Sequence, residues 1–522
     1  MRIERALRAV EHAPLPLSPA IDALLAALLG ALFSLSFAHA GVWWIQLVCI
    51  GLLAWRLADA RPGRAALLGW AFATAWLAAS TWWLFISMHR YGGLSAPLAA
   101  LAVAALSAAL ALYLAGAMAL FARLRRGNAA TDALLFAGCW LSAELARGVL
   151  FTGFPWAATG YGQLDAPLAS LAPWIGVYGI GAVVAALAAL PALQYGRPRW
   201  WLVAVVAGLV MAAPLAGRDF TAPAGPLGVS LIQTNVSQDD KFAPERLPEA
   251  LDWLAQALED ATGPLVIAPE TAIPLLPDQL GAQAWERLTK SFFDGTRGAL
   301  VGLPLGGFET GYTNSAAGLS TATRKLPGGY YRYDKQHLVP FGEFVPPGFR
   351  WFTEMMHIPL GDFSRGPLAP PSFAFGGQRI APTICYEDLF GEEIARRFSD
   401  AATAPTILAN LSNIAWFGNT VAIEQHLRIS RMRSLELQRP MIRATNTGAT
   451  AAIDHRGLTI EQKAPFTRGS LQATVEGRSG LTPFARWAAA WGLWPLVLAA
   501  AVSIAVCARW RGRRGRRSRP AT

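Results

Sequence analysis

Arg379-Ile380-Ala381-Pro382-Thr383-Ile384-Cys385-Tyr386-Glu387-Asp388 is a short apolar run that closes on a cysteine and passes at once into an acidic segment. A run of this length, followed by helical spacing over 389–398, reads as a buried strand feeding a helix. Cys385 then stands at the carboxyl end of that strand, where open α/β sheets place their chemistry. The three other cysteines, Cys49, Cys139 and Cys507, each lie inside a long hydrophobic run, so Cys385 is alone in its part of the chain. By itself such a thiol is a small hydrophobe, and burial is its commonest fate.

Two further stretches change that reading. In Pro264-Leu265-Val266-Ile267-Ala268-Pro269-Glu270-Thr271 a buried strand ends on a carboxylate, and in Tyr330-Tyr331-Arg332-Tyr333-Asp334-Lys335 an aromatic strand ends on a lysine. Singly, Glu270 and Lys335 would be solvated surface charges. Together, three strands each deliver one reactive group to the same kind of position, which is how a catalytic cluster is assembled from distant sequence. A thiol of ordinary pKa is mostly protonated at neutral pH; a nearby ammonium favours its thiolate, and a carboxylate can take and return the proton. Lys335 and the backbone N–H of Tyr386 are then candidates to stabilise a tetrahedral oxyanion.

These stretches belong to a region, 219–480, with the composition of an ordinary globular domain. Its short apolar runs, at 229–233, 265–268, 299–303, 315–319, 330–333, 380–384, 406–411, 441–445 and 449–453, predict strands. Helical spacing at 248–261, 282–293, 389–398 and 420–438 lies between them. Strands alternating with helices predict a layered α/β fold.

The rest of the chain is different. Of the 522 residues 53% are hydrophobic and only 15% charged, with 20 tryptophans and a net charge of +11. Apolar runs at 21–37, 41–58, 65–86, 97–121, 131–150, 171–193 and 200–215 are each roughly long enough to cross ~30 Å of hydrocarbon, the first two being short. Arg2, Arg5 and Arg8 precede the first run, and a second run follows it almost at once, which predicts a retained helix rather than a cleaved leader. An eighth run, 483–507, is followed by a basic tail from Arg509 to Arg519. Arg56, Arg61 and Arg64, then Arg123, Arg125 and Arg126, then Arg197 and Arg199 fill alternate loops. The positive-inside rule therefore predicts both termini in the cytoplasm and the 219–480 domain outside. The basic tail, directly after a span, reads as a topology-setting anchor and not as a nucleic-acid arm. The expected division is 1–218 with seven spans, 219–480, an eighth span at 481–507 and a tail at 508–522.

The Glu, Lys and Cys signatures resemble the nitrilase, or carbon-nitrogen hydrolase, superfamily. Nearly the whole chain resembles the bacterial apolipoprotein N-acyltransferase family, through Thr152-Gly153-Phe154-Pro155-Trp156, Gly176-Val177-Tyr178-Gly179, Asp362-Phe363-Ser364-Arg365-Gly366, 412–418 and 431–440 as well. The resemblance implies a multi-pass α-helical membrane domain of eight spans with an α/β nitrilase-like layered sandwich (αββα) inserted between spans seven and eight. It implies a bacterial inner-membrane protein with its catalytic domain on the periplasmic side. It also implies the reaction: Cys385 accepts a fatty acyl chain from a phospholipid as a thioester and yields it to the α-amino group of a diacylglyceryl-cysteine on an apolipoprotein. Glu270 is then the general base, Lys335 the oxyanion and thiolate stabiliser and Glu343 a second essential carboxylate, with Tyr386, Glu387, Phe242, Phe341 and Trp416 in supporting or substrate-binding places. Phe242 stands where the family leads us to expect tryptophan, and Ile414 where an acidic residue is usual.

An acyl thioester lasts only if water is excluded. Phe341, Phe344, Phe349, Trp351, Phe352, Met355, Met356 and Phe363, broken by Pro346 and Pro347, are expected to form either core packing or a lipid-touching lid. Rival readings are a membrane-tethered amidase or nitrile hydrolase with water as acceptor, a Cys385 pair with His337 or His426, and a transporter. Ionisable groups are scarce within the spans apart from residues near helix ends such as Glu144 and Arg147, which argues against transport. No CxxC or HxxxH spacing, Walker loop, strand-linked GxGxxG or GxSxG occurs, so no metal, nucleotide or other cofactor is expected and no nucleic-acid partner.

Overall fold

The computed structural model describes residues 17–195, 199–307, 309, 311–346, 348 and 363–517. The chain divides into two compact units. One holds the residues up to Trp82, Pro97–Arg218 and the chain from Leu493; the other holds Trp83–Ala96 and Asp219–Gly492.

The first unit is helical. Its opening helix, Pro19–Phe33, starts where Ser18 accepts a hydrogen bond from Ile21 N and proline occupies the first turn, the ordinary chemistry of a helix start. Phe33 packs among Phe72, Trp76 and Trp140, with ring centroids 5.5, 4.9 and 6.3 Å away. Close approach needs a missing side chain at Gly30, where a Cβ would lie 2.0 Å from the carbonyl oxygen of Phe72. Buried charge is paired: Asp22 is held by Arg56 at 2.6 Å and by Arg64. Glu144 accepts from the backbone and hydroxyl of Thr159 at 2.7 and 2.9 Å, while Arg147 donates to Phe154 O and Trp156 O at 2.6 and 2.7 Å. Both groups thus satisfy an irregular loop inside the unit, a structural use for intramembrane charge.

Among the described residues four helical stretches are long and apolar enough to cross a membrane: Pro19–Phe37, Ala96–Leu124, Ala129–Thr152 and Pro167–Ala192. Pro62–Thr81 with Leu84–Tyr91, and Pro483–Trp491 with Trp494–Ala508, qualify only as broken pairs, and Ile45–Leu57 and Trp201–Ala216 are shorter apolar helices. These helices make the protein membrane-bound. The apolar run at 65–86 does not stay in one unit, since Trp83 donates to Gln425 Oε1 at 3.1 Å and packs its ring 4.3 Å from Phe417. Residues 483–492 likewise belong with the α/β unit, where Arg396 donates to Ala489 O at 2.8 Å and Thr482 to Glu436 O at 2.7 Å.

The second unit is built on two six-stranded sheets. Strands are numbered in chain order: β1 Thr221–Gln233, β2 Leu265–Ile267, β3 Gly298–Gly307, β4 Gly311–Leu319, β5 Tyr331–Asp334, β6 Phe373–Phe375, β7 Gln378–Ile384, β8 Ile407–Ser412, β9 Met441–Thr445, β10 Ala451–Ile453, β11 Thr459–Gln462 and β12 Gly469–Gly480. The orders are β12-β1-β2-β3-β4-β5 and β11-β10-β9-β8-β7-β6. Alternate residues of both sheets, among them Val229, Leu231, Ile267 and Leu300 facing Ile380, Ile384, Leu411 and Ile442, form one buried layer. Leu254, Leu258, Leu288 and Phe292, from helices Leu247–Asp260 and Ala282–Phe293, cover the outer face of the first sheet. Helix Ala422–Leu437 lies against the second, giving helix, sheet, sheet, helix. All nine expected strands are present, some extended; β6, β11 and β12 are additional. The helix expected over 389–398 is instead a 3-10 turn at Cys385–Leu389, one short helix at Gly391–Ala395 and another 3-10 turn. Phe390, with ψ of 74°, interrupts it.

Candidate active site

β1, β2 and β3 run parallel, so their carboxyl ends lie at one edge of the first sheet. Glu270 follows β2 there. Its turn presses on β3 so closely that a Cβ on Gly302 would lie 2.3 Å from Pro269 O, and only glycine fits. β4 is antiparallel to β3 and β5 to β4, which brings the start of β4 and the end of β5 to the same edge. Lys335, just past β5, donates its backbone N–H to Asn314 O at 2.8 Å. β7 of the second sheet ends in Cys385, half-buried and at φ +51°, a conformation non-glycine residues seldom adopt outside sharp functional turns.

The groups at this edge form one network. Lys335 Nζ lies 2.9 Å from Glu343 Oε1 and 3.5 Å from Glu270 Oε1, with the lysine side chain 1% exposed. Asn314 Nδ2 donates to both carboxylates, at 2.8 Å to Glu270 and 2.7 Å to Glu343. The second oxygen of Glu270 accepts from Asn413 N at 2.8 Å, and that of Glu343 from Val339 N at 2.8 Å. Two buried carboxylates are tolerated because one ammonium and three amide donors satisfy them. Burial alone would pull the Lys335 ammonium down; Glu343 first, then Glu270, hold it above the ordinary lysine range, so it stays charged.

Cys385 shows the opposite balance. Burial and the nearby Glu270 carboxylate push its thiol up to about 12, outweighing Lys335 and the Ser412 hydroxyl, which favour the thiolate. A thiol raised in this way acts as a nucleophile when a base takes its proton, while Lys335 pulls in the direction of the thiolate, as the sequence reading expects.

Glu387 is a brace. It accepts from Ile384 N and Tyr333 Oη at 2.6 Å each, and from Gln336 N at 2.7 Å, so one carboxylate fixes the strand end carrying Cys385 against the one carrying Lys335. Its burial raises its own carboxyl above the usual range despite those donors. Tyr386 packs edge-on to Phe390 at 5.3 Å, Trp416 sits edge-on to Tyr91 at 5.4 Å, and Phe341 holds a left-handed turn at φ +62°. Phe242 is 57% exposed and Ile414 fully buried. Phe349, Trp351, Phe352, Met355 and Met356 of the expected lid lie outside the described residues, as does Pro347; Phe363 packs on Tyr312 at 4.9 Å.

His426 is committed away from the thiol. His426 Nδ1 lies 2.9 Å from Arg443 Nη2, which can only donate, so Nε2 carries the hydrogen and donates to the Cys385 carbonyl oxygen at 3.2 Å. Burial, then Arg443, hold its pKa well below the usual imidazole range. Arg443 is in turn 3.6 Å from Asp388, which accepts from Thr383 and Ser430. This chain pins the strained Cys385 peptide. His337 stacks on Phe390 at 3.5 Å, with Nδ1 3.0 Å from Glu393. Replacing His337 by alanine is expected to leave reaction at the Cys385 thiol within about threefold of the wild-type rate; a loss as large as that caused by Cys385→Ser would contradict this placement. The sequence reading missed Asn314, the Asn413 amide and the His426–Arg443–Asp388 chain.

Two family models match, "Apolipoprotein N-acyltransferase N-terminal domain" over residues 29–190 and "Carbon-nitrogen hydrolase" over residues 229–484. A curated apolipoprotein N-acyltransferase from Verminephrobacter eiseniae is 53% identical over 488 residues, covering 87% of this chain and 89% of its own. One from Ralstonia nicotianae is 45% identical, covering 92% of each. The crystal structure of a carbon-nitrogen hydrolase from Helicobacter pylori overlaps 52% of this chain and 94% of its own at 15% identity and a TM-score of 0.35, too remote to carry an argument. Identity of this extent, running through the helical part and the α/β part alike, means that the chain belongs to the apolipoprotein N-acyltransferase family.

Proposed function

We propose that this chain moves a fatty acyl group from a phospholipid to the N-terminal α-amino group of a diacylglyceryl-cysteine on an apolipoprotein, through a thioester on Cys385. In the first stage Glu270 takes the thiol proton as Sγ attacks the ester carbonyl carbon, and the carbonyl π pair moves onto its oxygen. Lys335 and the Tyr386 backbone N–H face that charge. Collapse breaks the carbon–oxygen ester bond, and Glu270 returns the proton to the departing lysophospholipid hydroxyl. In the second stage a neutral α-amine attacks the thioester, Glu270 accepts a proton from its nitrogen, and Cys385 leaves as the thiol. No nucleotide or metal is needed, because ester and thioester are already activated relative to the amide.

The observation that carries this reading is the carboxylate–lysine–carboxylate network at the sheet edge together with Cys385 on a strained turn, in a chain with membrane-length apolar helices. The eight-span count, the insertion of the α/β unit between spans seven and eight, and a basic tail at 508–522 belong to the same proposal, with the eighth span shortened from 481–507 to the helix that starts at Trp494, because residues 483–492 pack with the α/β unit. So do an inner-membrane location, a periplasmic catalytic domain and cytoplasmic termini, supported by the arginine-rich alternate loops. The nearest alternative, a hydrolase, differs only in its acceptor. Purified protein given phospholipid and a synthetic peptide beginning with diacylglyceryl-cysteine should yield the N-acylated peptide and lysophospholipid in equal amounts. Free fatty acid as the sole acyl product, whether or not peptide is present, would favour the hydrolase.

A further inference from the structure

A second lysine enters this site from the connection that follows β1. Lys241 is 6% exposed, and its Nζ donates to the backbone carbonyl of Glu270 at 3.1 Å, its one side-chain hydrogen bond among the described residues. The connection is held there by amides: Asn446 accepts from Thr234 Oγ1 and Val236 N at 2.7 and 2.9 Å and donates to Asn413 at 3.0 Å, and Asn413 donates to Gln238 at 3.1 Å. The Asn413 backbone that fixes the Glu270 carboxylate is thus tied to the segment carrying Lys241.

The two lysines are not equivalent. Lys335 is committed to two carboxylates at 2.9 and 3.5 Å, so turning it toward substrate costs those contacts. Lys241 has a neutral partner and spare donors. A buried ammonium whose hydrogen bond goes to a neutral carbonyl is costly unless charge arrives to meet it. When Sγ attacks, Glu270 gains the thiol proton and loses its charge, while the substrate oxygen becomes negative.

We propose that Lys241 is a further catalytic residue of the acyl-transfer reaction, its ammonium donating to the ester or thioester oxygen as that atom becomes an oxyanion. This rests on the acyl-transfer reading above. The ionisable groups that act on the Lys241 ammonium are the Glu270 carboxylate and the Cys385 thiol. Burial lowers the lysine to about 8, against the opposing pull of Glu270 and Cys385. The sign follows: the charged donor is present below that value and is lost as pH rises through it, whereas the thiol does not ionise until far higher.

The test is the rate at which full-length protein in detergent micelles containing dioleoyl phosphatidylethanolamine gains one acyl mass, followed from about pH 6 to about pH 10. Wild type should slow as pH rises past about 8. Lys241→Met should be slower by about a hundredfold at neutral pH and should lose that alkaline decline. Lys241→Arg, charged over the whole range, should keep more activity than the methionine variant and also lack the decline. Both variants are first checked for a wild-type unfolding temperature; if methionine lowers it, the arginine pH profile decides. Acylation of Lys241→Met within about threefold of wild type, or an alkaline decline unchanged in the arginine variant, would overturn the assignment. A wild-type chain that gains no acyl mass would overturn the acyl-transfer reading, and this inference with it.

Discussion

Glu270→Gln should slow acylation of Cys385 by about ten-thousandfold near pH 7, with the protein still folded. The magnitude follows from the thiol. Burial, the largest cause of the raised thiol pKa, persists in the variant, so little thiolate is available at neutral pH without a base to take the proton. Asp/Glu general bases contribute up to about 10⁴ where the proton must leave during attack. Glutamine can still accept from Asn413 N through its amide oxygen. Its NH₂ group would then face the Asn314 amide and Lys335, both donors, so Asn314 must reorient. A modest fall in stability should accompany the kinetic loss. Time-resolved intact-mass measurement gives the rate, and a thermal melt separates it from misfolding. A rate within about tenfold of wild type would remove Glu270 from proton transfer.

Lys335→Met should be damaging in a different way, abolishing acylation and destabilising the α/β unit by about 3–5 kcal/mol, because two buried carboxylates lose the cation they share. Methionine matches the aliphatic stem, so the loss is electrostatic. Since Glu343 and Glu270 hold the ammonium above the ordinary lysine range, its contribution is present throughout neutral pH and fades only as pH climbs through that raised value. Lys335→Met combined with Glu343→Gln should recover part of the stability and none of the activity. Denaturant titrations of wild type and both variants would show this; a Lys335→Met protein as stable as wild type would contradict the shared-cation account.

Glu270, Lys335 and Cys385 were legible because each follows a short apolar strand, and parallel topology carries such ends to one edge. Asn314 was not, because it stands near the start of a strand. Only the antiparallel course of β4 brings that start to the edge that carries Glu270 and Lys335, and no local pattern announces strand direction. The work of Glu387 was hidden for a related reason: its donors include the main-chain N–H of Gln336, a partner fixed by tertiary structure alone. Among the elements, β12 escaped because it is an edge strand with alternate residues exposed and three glycines, so it lacks the apolar run of a buried strand. Helix Ala422–Leu437 was recognised by its spacing, yet its buried side includes Arg428 and Arg433. Amphipathic logic would have put such residues outside, and buried acids such as Glu436, 3.1 Å from Arg433, explain why they are tolerated within.

On the proposed route a phospholipid's acyl chain resides on one sulfur between the two half-reactions. Exposing purified protein to phospholipid without acceptor, then measuring intact mass and mapping the adduct to a peptide, tests it directly. The expected result is a single hydroxylamine-labile acyl group on the peptide containing Cys385, absent from Cys385→Ser and discharged when the diacylglyceryl peptide is added. N-acylated peptide formed by the Cys385→Ser protein at the wild-type rate, or an adduct on another residue, would contradict the account.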